Sequence, residues 1–584
     1  MSLMSEFESI LEKGIEAVIP NRLISQTLFP TPDGIKVSGT TYSYSGKLNV
    51  FGFGKAAMGL VKQVVKVLGP RIDNVVCCTP LPTAQEIAEF PDLFSEGDIV
   101  PTGQSEPKLH TFHGPRTNEP NDEVIKSSLM MAQIASKMNA DDMLIVCITG
   151  GGSALLTLPY PINASASLLD ASANRLPLKA ITETSKLLSL EGASIQELNS
   201  VRSCLDTMKA GGLARFASPA QVVSLILSDV IGDPLEFIAS GPTYVVEEDT
   251  VVSSIDRAIA ILHKYKLREK IPSEVKKFLE MRQRANTILP KVNPKPANRI
   301  IGNLAMSLEE AAREAAKLNP TCLESKGIVL SKDIFRRTPV ESFETVLPII
   351  LTNTLAGDVS KKAKAIADLA WDLRKLVQLF LRKPDYTTRH VNEETRNRIL
   401  ATQKRITDKK EYYRDLVQGC YQVAKAVNGL GDAGRKQKGR FLGGLCLLLG
   451  GEATVKVRPV KRPEPANGGR CSHAALTASL RWYDLRSGEN EHHLCRNTVD
   501  MSFFARASDG LDGPSAFGAG AWSSMWMIRD ASEAEFAKQC LEYGDSYGFF
   551  TKSKLEPERG HYLPARLTGT NVMDLFMCLI NVYA

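Results

Sequence analysis

Short apolar runs that end in glycine-rich turns, each followed by an amphipathic stretch, recur along this chain and restrict its fold more than any other feature. KLNVFGFG runs into KAAMGLVKQVVKVL, DDMLIVCIT into GGGSALL, QVVSLIL into SDVIGDP and NRIIGN into LAMSLEEAAREAAKL. Farther on, FLGGLCLLL leads to GGEATVKVR and DMSFFARA to SDGLDG. This is the pattern of βα units around a largely parallel sheet, so an α/β protein is expected. In such sheets ligands bind at the carboxyl ends of the strands. Those ends are where this sequence places its Gly, Lys, Ser and Asp residues.

A chain of 584 residues exceeds what one hydrophobic core usually organises, and two domains are expected. KVNPKPANR, residues 291–299, carries two prolines and is the best candidate for the boundary. The charge is uneven. Residues 361–440 hold 20 Lys and Arg against 9 Asp and Glu, whereas the whole chain nets only +6. This block reads as long helices, Lys361 to Leu381 and then Glu393 to Val427, with Ile366, Leu369, Leu373, Leu376 and Phe380 on an apolar face. A solvated helical face accounts for its lysines and arginines, so nucleic acid is not expected as a partner. Eleven cysteines without a C-x-x-C pair indicate reduced core thiols, and no transition-metal site is expected. No charge-free apolar stretch of about 18 residues suggests a membrane span. The amino terminus, with three glutamates by residue 12, lacks the pattern of a targeting peptide, so a cytoplasmic protein is expected.

Several strand ends could carry chemistry. Gly52-Phe53-Gly54-Lys55-Ala56-Ala57 fits the loose G-x-G-x-x-A dinucleotide fingerprint. Asp73, about 20 residues on, precedes the next strand, whereas a ribose-binding acid should end it. Lys55 instead places a cation suited to a phosphate or carboxylate. Gly150, Gly151, Gly152 and Ser153 lie between an apolar strand and an expected helix, where backbone N–H groups and a helix N-terminus can cradle an anion. No G-x-x-x-x-G-K-[ST] occurs, which excludes an ordinary P-loop. Asp229 and Asp233 follow one strand and Asp509 and Asp512 another, pairs that could supply a magnesium ligand and a base. Arg202 and Lys209, seven residues apart, would share one helix face, and Arg470 follows Gly468-Gly469 at a helix start.

With these residues assembled, the chain resembles the type II glycerate kinases, whose C-terminal part is called the MOFRL domain. The matching stretches run in order from residue 49 to 575: NVFGFGKAAMG, ITGGGSALL, ELNSVRSCLDTMKAGGLA, LILSDVIGDPLEFIASGPT, GGEATVKVR, GGR, SDGLDGPSAFGAGA and LTGTNVMDL. The resemblance implies a Rossmann-like N-terminal kinase domain over residues 1–292. It further implies a smaller C-terminal α/β MOFRL-like domain over 297–584, with the basic helices of about 361–440 as an insertion, and an active site in the cleft between domains. The implied reaction is ATP- and Mg2+-dependent phosphorylation of D-glycerate, with 2-phosphoglycerate favoured, by a monomer or homodimer. Lys55 and Arg470 match residues regarded as catalytic in that family, and Asp229 joins them. Gly54 and Gly150 to Ser153 would bind the nucleotide, Asp229 and Asp233 the magnesium, and Arg202, Lys209, Asp509 and Asp512 the substrate. Which of the four aspartates deprotonates the hydroxyl stays open. Where the family continues GGR with Asn-Gln-Glu, this chain has Cys471-Ser472-His473, a departure expected to bear on substrate affinity. The alternatives are a hydroxypyruvate reductase using NAD(P)H and a degenerate nucleotide-binding homologue.

Overall fold

The computed structural model describes residues 3–583 except 84–86, 89–107, 117–118, 164–165, 246–250, 286–289, 319–344, 408–411, 430–440, 457–466, 489–498, 514, 516–517 and 553–559. Its contacts divide the chain into two units of about equal size. One is Ile19–Asn303 with Gly569–Asn571, and the other is Met1–Val18, Leu304–Thr568 and Val572–Ala584. Helix α1 (Leu3–Glu16) therefore counts with the second unit.

In the first unit, a small antiparallel sheet of β1 (Leu28–Thr31), β2 (Gly34–Val37) and β3 (Thr40–Ser43) precedes the main one. The main sheet comprises β4 (Leu48–Phe53), β5 (Ile72–Pro80), β6 (Lys108–Gly114), β7 (Met143–Ile148), β8 (Gln221–Leu227) and β9 (Ala297–Gly302). Every pairing in it is parallel, and its order is β6-β5-β4-β7-β8-β9. Numbered from its own first strand, that is 3-2-1-4-5-6, the Rossmann order. Strands β4 and β7 are buried along their whole length, which is why they read as unbroken apolar runs. The order reverses between these two, so the crevice at their carboxyl ends is the switch point where such sheets bind ligands. Helix α2 (Ala57–Leu68) follows β4, and the four-residue α3 (Gly152–Leu155) follows β7. Helix α4 (Ile195–Leu205) lies farther along the same unit.

The second unit departs from the parallel pattern. Its strands are β10 (Thr345–Asp358), β11 (Phe441–Thr454), β12 (Val499–Ala507), β13 (Gly518–Ser524), β14 (Gly560–Pro564) and β15 (Asp574–Tyr583), in the order β10-β11-β15-β12-β13-β14. Only β10 and β11 are parallel. Helix α5 (Leu304–Lys317) packs against α1 and β10.

The basic block belongs to this core. Helix α6 (Val359–Arg382) buries all five expected apolar positions. The second expected helix is two, α7 (Glu393–Ile406) and α8 (Tyr413–Gly429). It breaks because Thr407 turns extended, while Lys362 takes the carbonyls of Arg405 and Ile406 at 2.8 and 3.1 Å. Many of the basic groups have partners: Arg398 meets Asp372 at 2.7 Å, and Arg405 meets Asp368 at 2.9 Å. The nine cysteines among the described residues are buried and unbridged. No helix among the described residues is long and apolar enough to cross a membrane.

Helix α9 (Arg470–Gly488) packs on α6, and its His473 Nε2 lies 2.8 Å from Ser360 Oγ. Burial pushes the imidazole down to about 4. An unfolded histidine titrates near 6.5, so between the two values the unfolded chain holds a proton that the folded chain refuses. His473 should therefore withdraw stability as pH falls from about 6.5 to about 4, by roughly 3 kcal/mol in total. Urea unfolding of His473→Gln across that window should show a shallower acid slope than the parent; an unchanged slope would contradict a buried neutral imidazole.

Candidate active site

Three loops meet at the switch point of the first unit. Gly54 leaves β4 at φ +125°, a conformation in which a Cβ would also collide with Thr149. The next two amides then join the β4 and β7 ends: Lys55 N–H donates to Gly150 O at 2.8 Å, and Ala56 N–H to Thr149 Oγ1 at 3.1 Å. The Lys55 side chain is exposed, and its Cγ lies 3.2 Å from where a Cβ on Gly151 would stand. From the end of β8, the Asp229 carboxylate occupies the space a Gly150 side chain would need. Asn571 Nδ2 donates to Asp229 Oδ2 at 3.3 Å, and Asn303 Nδ2 donates to Asp233 Oδ2 at 2.6 Å. The structure thus brings Gly54, Lys55, Gly150, Gly151 and Asp229 together.

The expected helix after the glycines is only α3, one short turn, and Gly152 N–H is spent on Thr149 O at 3.2 Å. A helix dipole is correspondingly small there. Lys209 supplies what the missing length would have. Its ammonium donates to Ser153 O at 2.7 Å, to Leu156 O at 3.0 Å and to Thr157 Oγ1 at 3.4 Å, with Asp206 Oδ2 at 3.3 Å. Lys209 is buried, and burial pushes its ammonium down from the ordinary lysine value, partly offset by Asp206.

Arg202 and Lys209 do not share a helix face. Helix α4 stops at Leu205, because Asp206 turns extended to accept the amides of Leu158 at 3.2 Å and Met208 at 2.9 Å. Arg202 is half-buried with its Nε 3.1 Å from Ser185 Oγ, and burial lowers its affinity for the proton. The acid after the G-x-G-x-x-A loop is spent elsewhere too: Asp73 accepts Leu48 N–H at 3.0 Å, at the start of β4, the end away from Gly54. That placement removes the ribose contact a nicotinamide dinucleotide would require.

The second unit holds a charge cluster around Arg470, the first residue of α9. Asp574, at the head of β15 and 1% exposed, pairs with the guanidinium: its Oδ1 accepts from an Nη at 3.2 Å and its Oδ2 makes an ion-pair contact with Nε at 2.8 Å. The other Nη meets Glu452 at 2.9 Å. Burial works against the Arg470 charge, but Asp574 leads the acids that outweigh it, and the net direction is up. Asp512 is buried and caps α9 from outside it, accepting the Cys471 and Ser472 amides at 2.8 Å each and Ser472 Oγ at 2.6 Å. Asp509 accepts Leu511 N–H at 3.0 Å and forms the turn after β12. Glu452, Asp574 and Asn571 were not singled out from the sequence, although all three lie in or beside the motif stretches GGEATVKVR and LTGTNVMDL.

Residues 6–280 match the family described as "Domain of unknown function (DUF4147)", and residues 445–574 match the MOFRL family. A glycerate kinase of Mus musculus is 31% identical over 588 aligned positions, covering 100% of this chain and 94% of its own. The chain belongs to the glycerate kinase family with a MOFRL domain. A glycerate 2-kinase of Pyrococcus horikoshii is 28% identical over 311 residues, covering 53% of this chain and 61% of its own. The crystal structure of a glycerate kinase from Thermotoga maritima shares the fold, with TM-score 0.60 and 22% identity over 99% of both chains.

Against the sequence departure noted within this family, the structure puts Cys471, Ser472 and His473 in the buried first turn of α9. Ser472 completes the Asp512 cap and His473 packs on α6, so the altered residues serve helix docking.

Lys209→Met removes the cation that closes α3 and strands Asp206 as a buried unpaired charge. It should cost about 3–5 kcal/mol. Chemical denaturation measures the cost, and a loss below about 1 kcal/mol would contradict an inward, structural Lys209.

Proposed function

We propose that this protein transfers the terminal phosphoryl group of ATP to D-glycerate with the help of Mg2+, forming 2-phosphoglycerate. The observation that carries this reading is a lysine, an aspartate and a turn free of side chains meeting at the switch point of a Rossmann-order sheet. Phosphoryl transfer asks a protein mainly for positioning and charge neutralisation. Lys55 offers an exposed ammonium, and Gly54 with Gly150 to Gly152 lets phosphate oxygens approach the backbone, with the Ser153 hydroxyl beside them.

Among the described residues no three His, Cys, Asp or Glu side chains form a metal cluster. Mg2+ needs less than that: one or two carboxylates suffice when phosphate oxygens and water complete its shell. Asp229 fits this requirement because it lies against Gly150, where a phosphate at the turn would otherwise face a bare carboxylate. Asp233 is the second carboxylate of the same loop. When bound, the ion would supply charge neutralisation and orientation of the phosphates.

Asp229 is assigned the proton of the glycerate hydroxyl. Asp512 is committed to three donors at the head of α9, and Asp233 accepts a 2.6 Å hydrogen bond from Asn303, whereas the Asp229 carboxylate lies against the Gly150 turn with a longer 3.3 Å bond from Asn571. Lys55 is assigned to neutralising the transferring group and Arg470 to an anionic group of the substrate; Asp574 and Glu452 fix the plane of the Arg470 guanidinium. Transfer to the 2-hydroxyl is supported by the relative from Pyrococcus horikoshii named glycerate 2-kinase.

Lys55→Met should lower kcat by roughly 100- to 1000-fold with a nearly unchanged melting curve, since the side chain is exposed and the methionine keeps an unbranched stem over Gly151. Coupled measurement of ADP release reads the effect, and near-normal turnover would remove Lys55 from the mechanism.

A further inference from the structure

Beside the glycine turn, the first unit contains a cavity of about 740 Å3. Ligand pockets for molecules much larger than glycerate fall in this range, about 300–1,000 Å3. The cavity and the turn share a wall. Ser240 lines the cavity and its hydroxyl is 3.0 Å from Ser153 Oγ, while Lys209 lines it and holds Ser153 O.

That wall is strained. Ala239, Ser240 and Gly241 have φ of +51°, +61° and +62° in succession, and two of the three carry a side chain. Such a run persists only where its surroundings dictate it, and it gathers at ligand sites. Here Ala210 N–H holds Ser240 O at 2.9 Å and Gly211 N–H holds Gly241 O at 2.7 Å.

The lining offers aromatic surface and a guanidinium, with two acids, Glu197 and Glu236, at its wall. Tyr160, Phe237 and Tyr244 provide flat apolar surface. Arg282 lies over the Tyr160 ring with its Cζ 4.5 Å from the centroid, and its buried Nε–H has no acceptor. That donor is left available to an acceptor on a ligand. Glu197, an acid in the lining, is already engaged by Lys264 at 2.6 Å and Tyr265 at 2.8 Å.

We infer that this cavity takes the nucleoside end of ATP, its base against the Tyr160–Arg282 pair and its phosphates leading past Ser240 to Ser153 and the glycine turn. The inference rests on the kinase reading above and assigns a place to its nucleotide. Glycerate would then bind outside the cavity.

Two variants and one labelling experiment test it. Ser203→Trp, on α4, fills the cavity, and Arg282→Gln removes the guanidinium. Each should raise KM for ATP about tenfold or more while KM for glycerate stays within about twofold. A rise in KM for glycerate alone, or no change in KM for ATP from either variant, would overturn the inference. Photolabelling of the unaltered protein with 8-azido-ATP does not depend on the variants folding. Label on the peptides carrying Tyr160 or Phe237 to Tyr244 supports the assignment, and label only elsewhere contradicts it. Should the unaltered protein turn over no ATP with glycerate, the kinase reading fails, and the labelling still decides whether a nucleotide occupies the cavity.

Discussion

Three consecutive residues without side chains hold the candidate site together, because each is covered by a different part of the chain. The Asp229 carboxylate fills the space over Gly150, the Lys55 stem lies over Gly151, and Ala239 with Phe53 packs over Gly152. Any Cβ at Gly150 would displace the carboxylate, and one at Gly152 would disturb the strained Ala239–Gly241 segment. The turn therefore does more than expose amides. It lets a cation, an anion and a strained loop converge at the reversal of strand order, and Lys209 closes the short α3 helix from below in place of further helical turns.

The second unit uses the same device for another purpose. Asp512 occupies the space beside Gly469 and spends its carboxylate on the amides that open α9. Arg470, one residue farther, is held in plane by Asp574 and Glu452. One aspartate thus fixes the helix start and another fixes the side chain that the helix presents. A guanidinium so constrained has little rotameric freedom left to lose when it meets an anion, which is how a supporting shell contributes to recognition.

Much of this was legible in the sequence, and what was not has physical causes. Parallel strands buried on both faces read as unbroken apolar runs, and β4 and β7 do so. Strands β11 and β15 pair antiparallel yet read the same way, because both are buried almost throughout and the alternation that marks a half-solvated sheet is absent. Lys55, Asp229 and Arg470 stand at element ends as their flanking glycines indicated. Lys209 was read from its seven-residue spacing and Asp512 from its place after a strand, and neither signal reveals burial. Their burial, and the carbonyls and amides they satisfy, come from segments about 40 to 56 residues away in sequence. The seven-residue spacing of Arg202 and Lys209 failed for a local reason: Asp206 leaves the helix to cap two amides, and periodicity does not continue through a capped end.

The central claim is that these groups carry phosphoryl transfer to glycerate, and phosphorus NMR of the protein with ATP, Mg2+ and D-glycerate tests it most directly. The account predicts a glycerate-dependent phosphomonoester signal coupled to the single proton on carbon 2. Coupling to the two protons of carbon 3 would overturn the assigned position of transfer, and the absence of any glycerate-dependent signal from folded protein would contradict the account as a whole.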